Sequence, residues 1–433
     1  MVINKNILYS GVKEITQQGI TKNFSVLVLA QFGYKLISFV TFIIIARGVG
    51  VESFGKLSYA VSFAAIFIYF IDFGMSNLMI KEAAGQTKDK TRNYLNNILT
   101  LKLILALLLY SAAILTAIFV EKQKIIFVSI LVLGLSYILD SYSASFKSTF
   151  NLFEKFNYSA ISVICEGLLK FLLILCLKLF LKMDILSISL IFLLTSVIIL
   201  VLNSVLTWVK FIKFEFSLDA KFIVSIFKSS IPIAFLTLFP LLTFKIDTIM
   251  LSKMTNDVIT GWFAGASRLI EPIAVIPVTF GVAAFPVISR FYKNSKDNLV
   301  SIFTASNLVL SMAAIPIVLI LFFCSGFFVQ SLLGKEFFNS IMAVKLLSFC
   351  LLPIFLRPFL EYFILALGAY KIIYISCIMG VIINISLNLA LIPVFAHLGA
   401  CISTILSELA VVVCIIFMVV KHFIMDRAEV ARL

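Results

Sequence analysis

Twelve apolar runs of about 20 residues, recurring from residue 24 almost to the carboxy terminus, constrain this chain more than any other feature. Each is long enough to cross a hydrocarbon core of roughly 30 Å as a helix. They cover residues 24–45, 57–74, 98–120, 125–147, 158–180 and 185–209, then 223–252, 258–288, 299–323, 340–366, 372–395 and 397–420. The runs are continuously apolar and lack the alternation of a membrane β-barrel, so helices are the only spanning structure open to them. At 62% hydrophobic and 13% charged over 433 residues, the chain has more apolar side chains than a soluble core of its length can bury. The expected fold is an all-α membrane protein of about 12 transmembrane helices.

Counting Lys and Arg in the connections, with span ends included, gives 20 on the side of the amino terminus and 8 on the other. The larger number marks the cytoplasm, which predicts cytoplasmic termini at both ends. Loop cations also account for the net charge of +14, since the spans hold seven charges of each sign. The basic balance is therefore a topology signal that suits anionic lipid headgroups, and it does not suggest nucleic acid. The first span is too long for a cleaved signal and reads as a retained anchor.

An even number of spans on either side of the basic segment 210–222 divides the chain into an amino-terminal lobe, 1–209, a cytoplasmic linker, 210–222, and a carboxy-terminal lobe, 223–433. Two halves of equal orientation are then related by an axis along the membrane normal. A faint internal repeat agrees. A shift of 206 residues lays Arg47 over Lys253, Gly55 over Gly261 and Ala60 over Ala266, each copy a tight connection between the first two spans of a half. All nine prolines fall in the second half, five of them in its first two spans, where bends or hinges are expected.

Seven cations stand inside the spans: Lys35, Lys102, Lys170, Lys245, Arg268, Lys345 and Arg357. Hydrocarbon penalises each by roughly 2.5 to 3.5 kcal/mol on insertion scales, so partners, water or an anionic cargo must accompany them. The seven cysteines lie in spans without metal-ligand spacing, and His397 and His422 have no ligand company. No metal or cofactor is expected. Up to this point the residues describe a polytopic carrier.

Several segments resemble one family. Ala46-Arg47-Gly48-Val49-Gly50-Val51-Glu52-Ser53-Phe54-Gly55-Lys56-Leu57-Ser58 and Asp72-Phe73-Gly74-Met75 are similar to signatures of the polysaccharide flippases, a branch of the multidrug/oligosaccharidyl-lipid/polysaccharide exporter superfamily. So are Ile246-Asp247-Thr248-Ile249-Met250-Leu251, Trp262 to Leu269, Phe285 to Arg290, and Asn384-Ile385-Ser386-Leu387-Asn388 through Thr404, in the family's order over most of the chain. Gly48, in place of a bulky residue, and Cys401, in place of Ala, are small departures. The resemblance implies two six-helix lobes around a central cavity, without enzymatic activity. It implies flipping of an undecaprenyl-pyrophosphate-linked oligosaccharide, destined for O-antigen, capsule or a similar polymer, between leaflets of a bacterial inner membrane. Its implied partners are that lipid-linked oligosaccharide, membrane lipids, a polysaccharide polymerase, and a proton or sodium as coupling ion. A multidrug or cation antiporter of the same superfamily and a membrane glycan polymerase are the rival functions; the short, His-poor outer loops argue against the second.

Under that reading, the pyrophosphate and sugar contacts are expected among Lys35, Arg268, Lys245, Arg357 and Lys170. Arg268 lies roughly 15 Å deep at about 1.5 Å per residue and either pairs with Glu271 or offers a planar fork to phosphate while Glu271 holds it. Lys35, also near mid-depth, faces the cavity or pairs with a carboxylate such as Glu408. Lys245, nearer the outer end, is able to snorkel. Arg357 with Glu361, and Lys170 with Glu166, stand four apart and read first as structural pairs. Asp247, Glu271 and Glu361 are candidates for ion coupling, with an interlobe hydrogen bond the plainer role for Asp247. Arg47, Gly55, Asp72 and Gly74 are expected to terminate helices and make gating contacts, and Lys102 and Lys345 to snorkel without a role.

Overall fold

The computed structural model describes residues 20–294 and 296–430, so the expected amino-terminal segment 1–19 and the last three residues lie outside the described part. Thirteen helices are present there: α1 Ile20–Ile68, α2 Met75–Ala83, α3 Lys88–Val120, α4 Lys124–Leu152, α5 Phe156–Phe180, α6 Ile185–Lys210, α7 Ala220–Met254, α8 Asp257–Ile270, α9 Val275–Asn294, α10 Lys296–Phe328, α11 Ser340–Leu367, α12 Tyr370–Phe395 and α13 His397–Val430.

Two of the twelve expected spans are interrupted, and the first two run together as one helical element with its bend in the expected connection. Within α1, Gly50 takes φ 76° and ψ 171°, outside the helical region. Phe42 and Phe54 bring their ring centroids to 5.0 Å, whereas a straight helix would separate residues twelve apart by about 18 Å. The chain therefore folds back at Gly50, and α1 is two spans. In α7 the segments Ala220–Leu236 and Leu241–Met254 meet at 68°, across the stretch holding Pro240, whose missing N–H weakens the helix there. The eighth span breaks over 271–274, where Pro272 follows α8 and α9 resumes at Val275. With these divisions, the twelve expected spans are all present.

The helices form two halves, α1–α6 and α7–α13, joined along a seam where α1 packs on α5 within its own half and on α8 across the interface. The inter-half segment is held tightly. Backbone N–H groups of Glu215, Ser217 and Asp219 donate to Asn96 Oδ1, Thr100 Oγ1 and Asn97 Oδ1 of α3 at 2.9, 3.0 and 3.0 Å. Every second N–H of an extended strand faces one side, so a polar helix face takes the place of a neighbouring strand. Phe214, Phe222 and Ile226 pack with Met75, Leu78, Leu95, Leu99 and Phe146. The expected linker and the first turns of α7 thus pack on the amino-terminal half.

Candidate functional site

At the seam between the halves, Lys245 of α7 and Arg268 and Glu271 at the end of α8 line a cleft with Ser58 and Ser62 of α1. The position of Arg268 follows from the break at Pro272. Because α8 stops there, the last-turn arginine and the capping residue Glu271 stand together at the helix end and both line the cleft. Arg268 Nη1 donates to Glu271 Oε2 at 2.8 Å, and both side chains remain 36% exposed. Lys245, which the sequence leaves open between a cleft contact and snorkelling, lines the cleft with this pair, and Lys35 of α1 interacts electrostatically with both Lys245 and Glu271. Lys35 is exposed, and among the described residues it has no carboxylate within 4 Å. The cleft itself holds two cations, Lys245 and Arg268, and one carboxylate, Glu271, with Lys35 of the other half within electrostatic range.

A separate polar cluster of the amino-terminal half is internally paired. Lys170 Nζ donates to Glu166 Oε1 at 2.9 Å, Lys147 stands 3.6 Å from the other oxygen, and Tyr34 donates to Glu166 at 3.3 Å. Asp140 interacts with the same lysines. Tyr69 and Tyr137 both lie within electrostatic range of Arg268.

Two further clusters are sealed within the carboxy-terminal half. Asp247, with no exposure, accepts from Asn384 at 2.9 Å and Asn388 at 2.6 Å on one oxygen, and from Thr404 at 2.5 Å on the other. All three donors lie in its own half, so the expected interlobe bond is replaced by an intralobe one. Asn388 Oδ1 is buried there without a hydrogen-bond partner. Beside it, Arg357 reaches Glu361 at 2.8 Å and Glu408 at 2.6 Å. Glu408 is thus the partner of Arg357 and not of Lys35. Residue spacing could suggest Glu361, but Glu408 is 51 positions away and only tertiary packing brings it in.

Near Gly50 the two halves are held together at one end of the seam. Arg47 donates to the carbonyls of Ser331 and, at 2.8 Å, Leu332, which end the helical path of α10. Lys253 donates to Val120 O at 3.4 Å and Glu121 Oε2 at 2.8 Å, at the end of α3. Each half thus sends the cation closing its first span to the carboxy-terminal end of the other half's third span, where free carbonyls and the helix dipole favour positive charge. Glu336 accepts from Val51 N at 3.1 Å, and Gly55 and Gly261 pack helix on helix between these contacts.

Lys102 requires a correction. Its expected snorkelling would leave it exposed, yet its exposure is 0%: it pairs with Asp72 and donates to Ser141 O at 2.5 Å and Ser76 Oγ at 3.1 Å. Asp72 also accepts from Ser76. Gly74 follows at φ 74°, and a Cβ there would lie 3.0 Å from Ala234 N, so its backbone bend and its contact with α7 both require glycine. Lys345 lies 5.6 Å from the Phe322 ring centre.

Comparison with solved structures shows the fold. The chain is similar to the lipid II flippase MurJ in an inward closed conformation, with TM-score 0.73 and 15% identity over 91% of this chain and 87% of that one. An inward-facing multidrug resistance MATE family transporter of the MOP superfamily gives 0.70 and 13% over 91% and 96%. A MOP superfamily transporter from Pyrococcus furiosus with a binding pocket of reverse polarity gives 0.65 and 15% over 93% and 95%. Comparison with curated protein sequences gave no significant match. The chain therefore has the MOP transporter architecture of two six-helix lobes around a central cavity, and since the polysaccharide biosynthesis protein family matches it over residues 20–292, more than half its length, it belongs to that family.

Proposed function

We propose that this protein is a flippase that carries an oligosaccharide on undecaprenyl pyrophosphate from the cytoplasmic to the periplasmic leaflet of a bacterial inner membrane by alternating access. The observation that carries this reading is the cation excess at the seam: Lys35, Lys245 and Arg268 against Glu271 alone. Like charges gathered at low dielectric repel, and a bound pyrophosphate relieves that repulsion. Glu271 orients the guanidinium while leaving N–H groups free for phosphate oxygens. The two lysines add point charges from opposite halves. Lys170, which shares Glu166 with Lys147, adds positive charge from the amino-terminal half; Arg357 is enclosed by carboxylates apart from the cleft. The glycan occupies the hydrated cleft and the polyprenyl tail stays in lipid.

With the charge bias placing both termini in the cytoplasm, the end held by Arg47 and Lys253 faces outward, so the closed contacts there form an external gate. Coupling is assigned to the carboxy-terminal half, where Asp247, Glu361 and Glu408 face a single cation, Arg357. A low-dielectric interior penalises the uncompensated charge, which supports uptake of protons or sodium. Asp247, with amide and hydroxyl neighbours and the unpartnered Asn388 oxygen, offers a hard oxygen donor set for such an ion. Glu271, tied to Arg268 in the cleft, links coupling to cargo.

Proteoliposomes containing an undecaprenyl-pyrophosphate-linked oligosaccharide, scored by lectin access to each leaflet, test the reading. Transfer that depends on Arg268 and Lys245 is expected. Export of cationic drugs with no glycolipid transfer would instead establish the antiporter.

A further inference from the structure

Forty-four phenylalanines and thirteen tyrosines obscure any sugar contact in the sequence, but the structure sets two tyrosines ring to ring. Tyr69 lies in the short helical turn after α1, and Tyr137 lies on α4; their ring centroids are 5.6 Å apart in an edge-to-face arrangement. Both are half-buried, and Tyr137 packs against Ile68, Ile71 and Ala106, which fix its ring from behind. Three other tyrosines of this half donate hydrogen bonds: Tyr34 to Glu166, Tyr110 to Leu131 O and Tyr142 to Leu99 O. Tyr69 and Tyr137 have no such bond among the described residues, and Arg268 lies within electrostatic range of both.

We propose that Tyr69 and Tyr137 form the sugar-reading platform of the cleft, contacting the sugar attached to the pyrophosphate that Arg268 and Lys245 hold. This rests on the pyrophosphate reading above. Ser58 and Ser62 of the cleft lining and Tyr69 stand at i, i+4 and i+11 along one continuous helical path and so share its face, which sets the tyrosine pair next to the cleft where a sugar joined to the distal phosphate would lie. A sugar ring presents C–H groups on one face and hydroxyls around its rim. A rigid aromatic pair with free phenolic groups meets both, through ring contact and hydrogen bonds. A paired orientation held by packing loses little entropy on binding.

The test measures binding of the full chain in nanodiscs to undecaprenyl pyrophosphate and to the same lipid bearing N-acetylglucosamine, N-acetylgalactosamine or galactose. Wild type is expected to bind at least one glycosylated lipid more tightly than the bare one. Tyr69→Ala and Tyr137→Ala should each weaken that glycosylated lipid by about tenfold while leaving the bare lipid unchanged. Tyr→Phe should retain part of the gain. Arg268→Gln should weaken all lipids together. Unchanged binding of the bare lipid also reports that the variants are folded. Equal loss for bare and glycosylated lipids, no loss for either, or a wild type indifferent to the sugar overturns the platform. Failure of Arg268→Gln to weaken the bare lipid, with sugar discrimination intact, overturns the pyrophosphate reading instead.

Discussion

Gly55 and Gly261 cross each other reciprocally at the seam. A Cβ on Gly55 would lie 1.8 Å from the carbonyl oxygen of Asp257, and one on Gly261 would lie 2.1 Å from that of Val51. Val51 and Asp257 are themselves 206 positions apart, as are the glycines and the cations Arg47 and Lys253. The repeat read in the sequence is therefore a physical pseudo-symmetry, with its axis passing between the two glycine helices. Backbone lies against backbone, so neither contact can yield by moving a side chain.

Alanine at Gly55 or Gly261 is expected to prevent closure and abolish transport. Gly326→Ala, whose Cβ would meet only Ile341 Cδ1 at 4.0 Å, should transport normally. Lectin-access assays on the three variants check this. Normal turnover by Gly55→Ala would show that the crossing is not needed.

The reciprocal cation contacts predict additive effects on gating. Arg47→Ala and Lys253→Ala should each favour the open gate by about 1 kcal/mol, roughly fivefold in population, because the contacts are exposed and share their load. Labelling of a cysteine at Val51 by a membrane-impermeant maleimide reads that population. The double variant should exceed either single one; labelling equal to wild type would count against the latch.

Arg357 and Arg268 should separate stability from transport. Arg357→Gln leaves buried Glu361 and Glu408 without their cation and is expected to destabilise the protein by about 3–5 kcal/mol. Arg268→Gln, at a hydrated cleft, should leave thermal unfolding nearly unchanged while abolishing flipping. Unfolding curves in detergent, paired with transport assays, distinguish the two.

Lys102→Met exposes Asp72 to the same penalty on a smaller scale, because Asp72 keeps partial exposure at 26%. A loss of about 1–3 kcal/mol is expected, partly restored by adding Asp72→Asn. A double variant less stable than Lys102→Met alone would contradict the pairing.

Asp247→Asn is expected to uncouple the cycle. Transfer should cease to respond to an imposed proton or sodium gradient, and comparing the two gradients in wild type identifies the ion. If Asp247, Glu271 and Glu361 were neutralised singly and together without altering that response, coupling would lie elsewhere.

The apolar runs determined the spans, since a lipid-crossing segment announces itself by length and hydropathy without reference to its neighbours. Local spacing likewise disclosed Arg268 with Glu271 and Lys170 with Glu166, because residues three or four apart share a helix face. Depth counted along a span misjudged Lys102 and left Lys245 undecided. Their fate depends on which helix stands opposite, and the sequence contains no local trace of Ser141 beside one or of the Arg268–Glu271 pair beside the other.

By itself, then, the sequence determined an all-helical membrane protein of two related halves, its family resemblance and the cations that lipid could not solvate alone. Tertiary structure decided which of those cations were already neutralised. It enclosed Arg357 between Glu361 and Glu408 and sealed Lys102 against Asp72, while leaving Lys35, Lys245 and Arg268 around one carboxylate at the seam. The physical reason is that charge compensation acts over a few ångströms of space, and helix packing brings together residues that chain position keeps far apart.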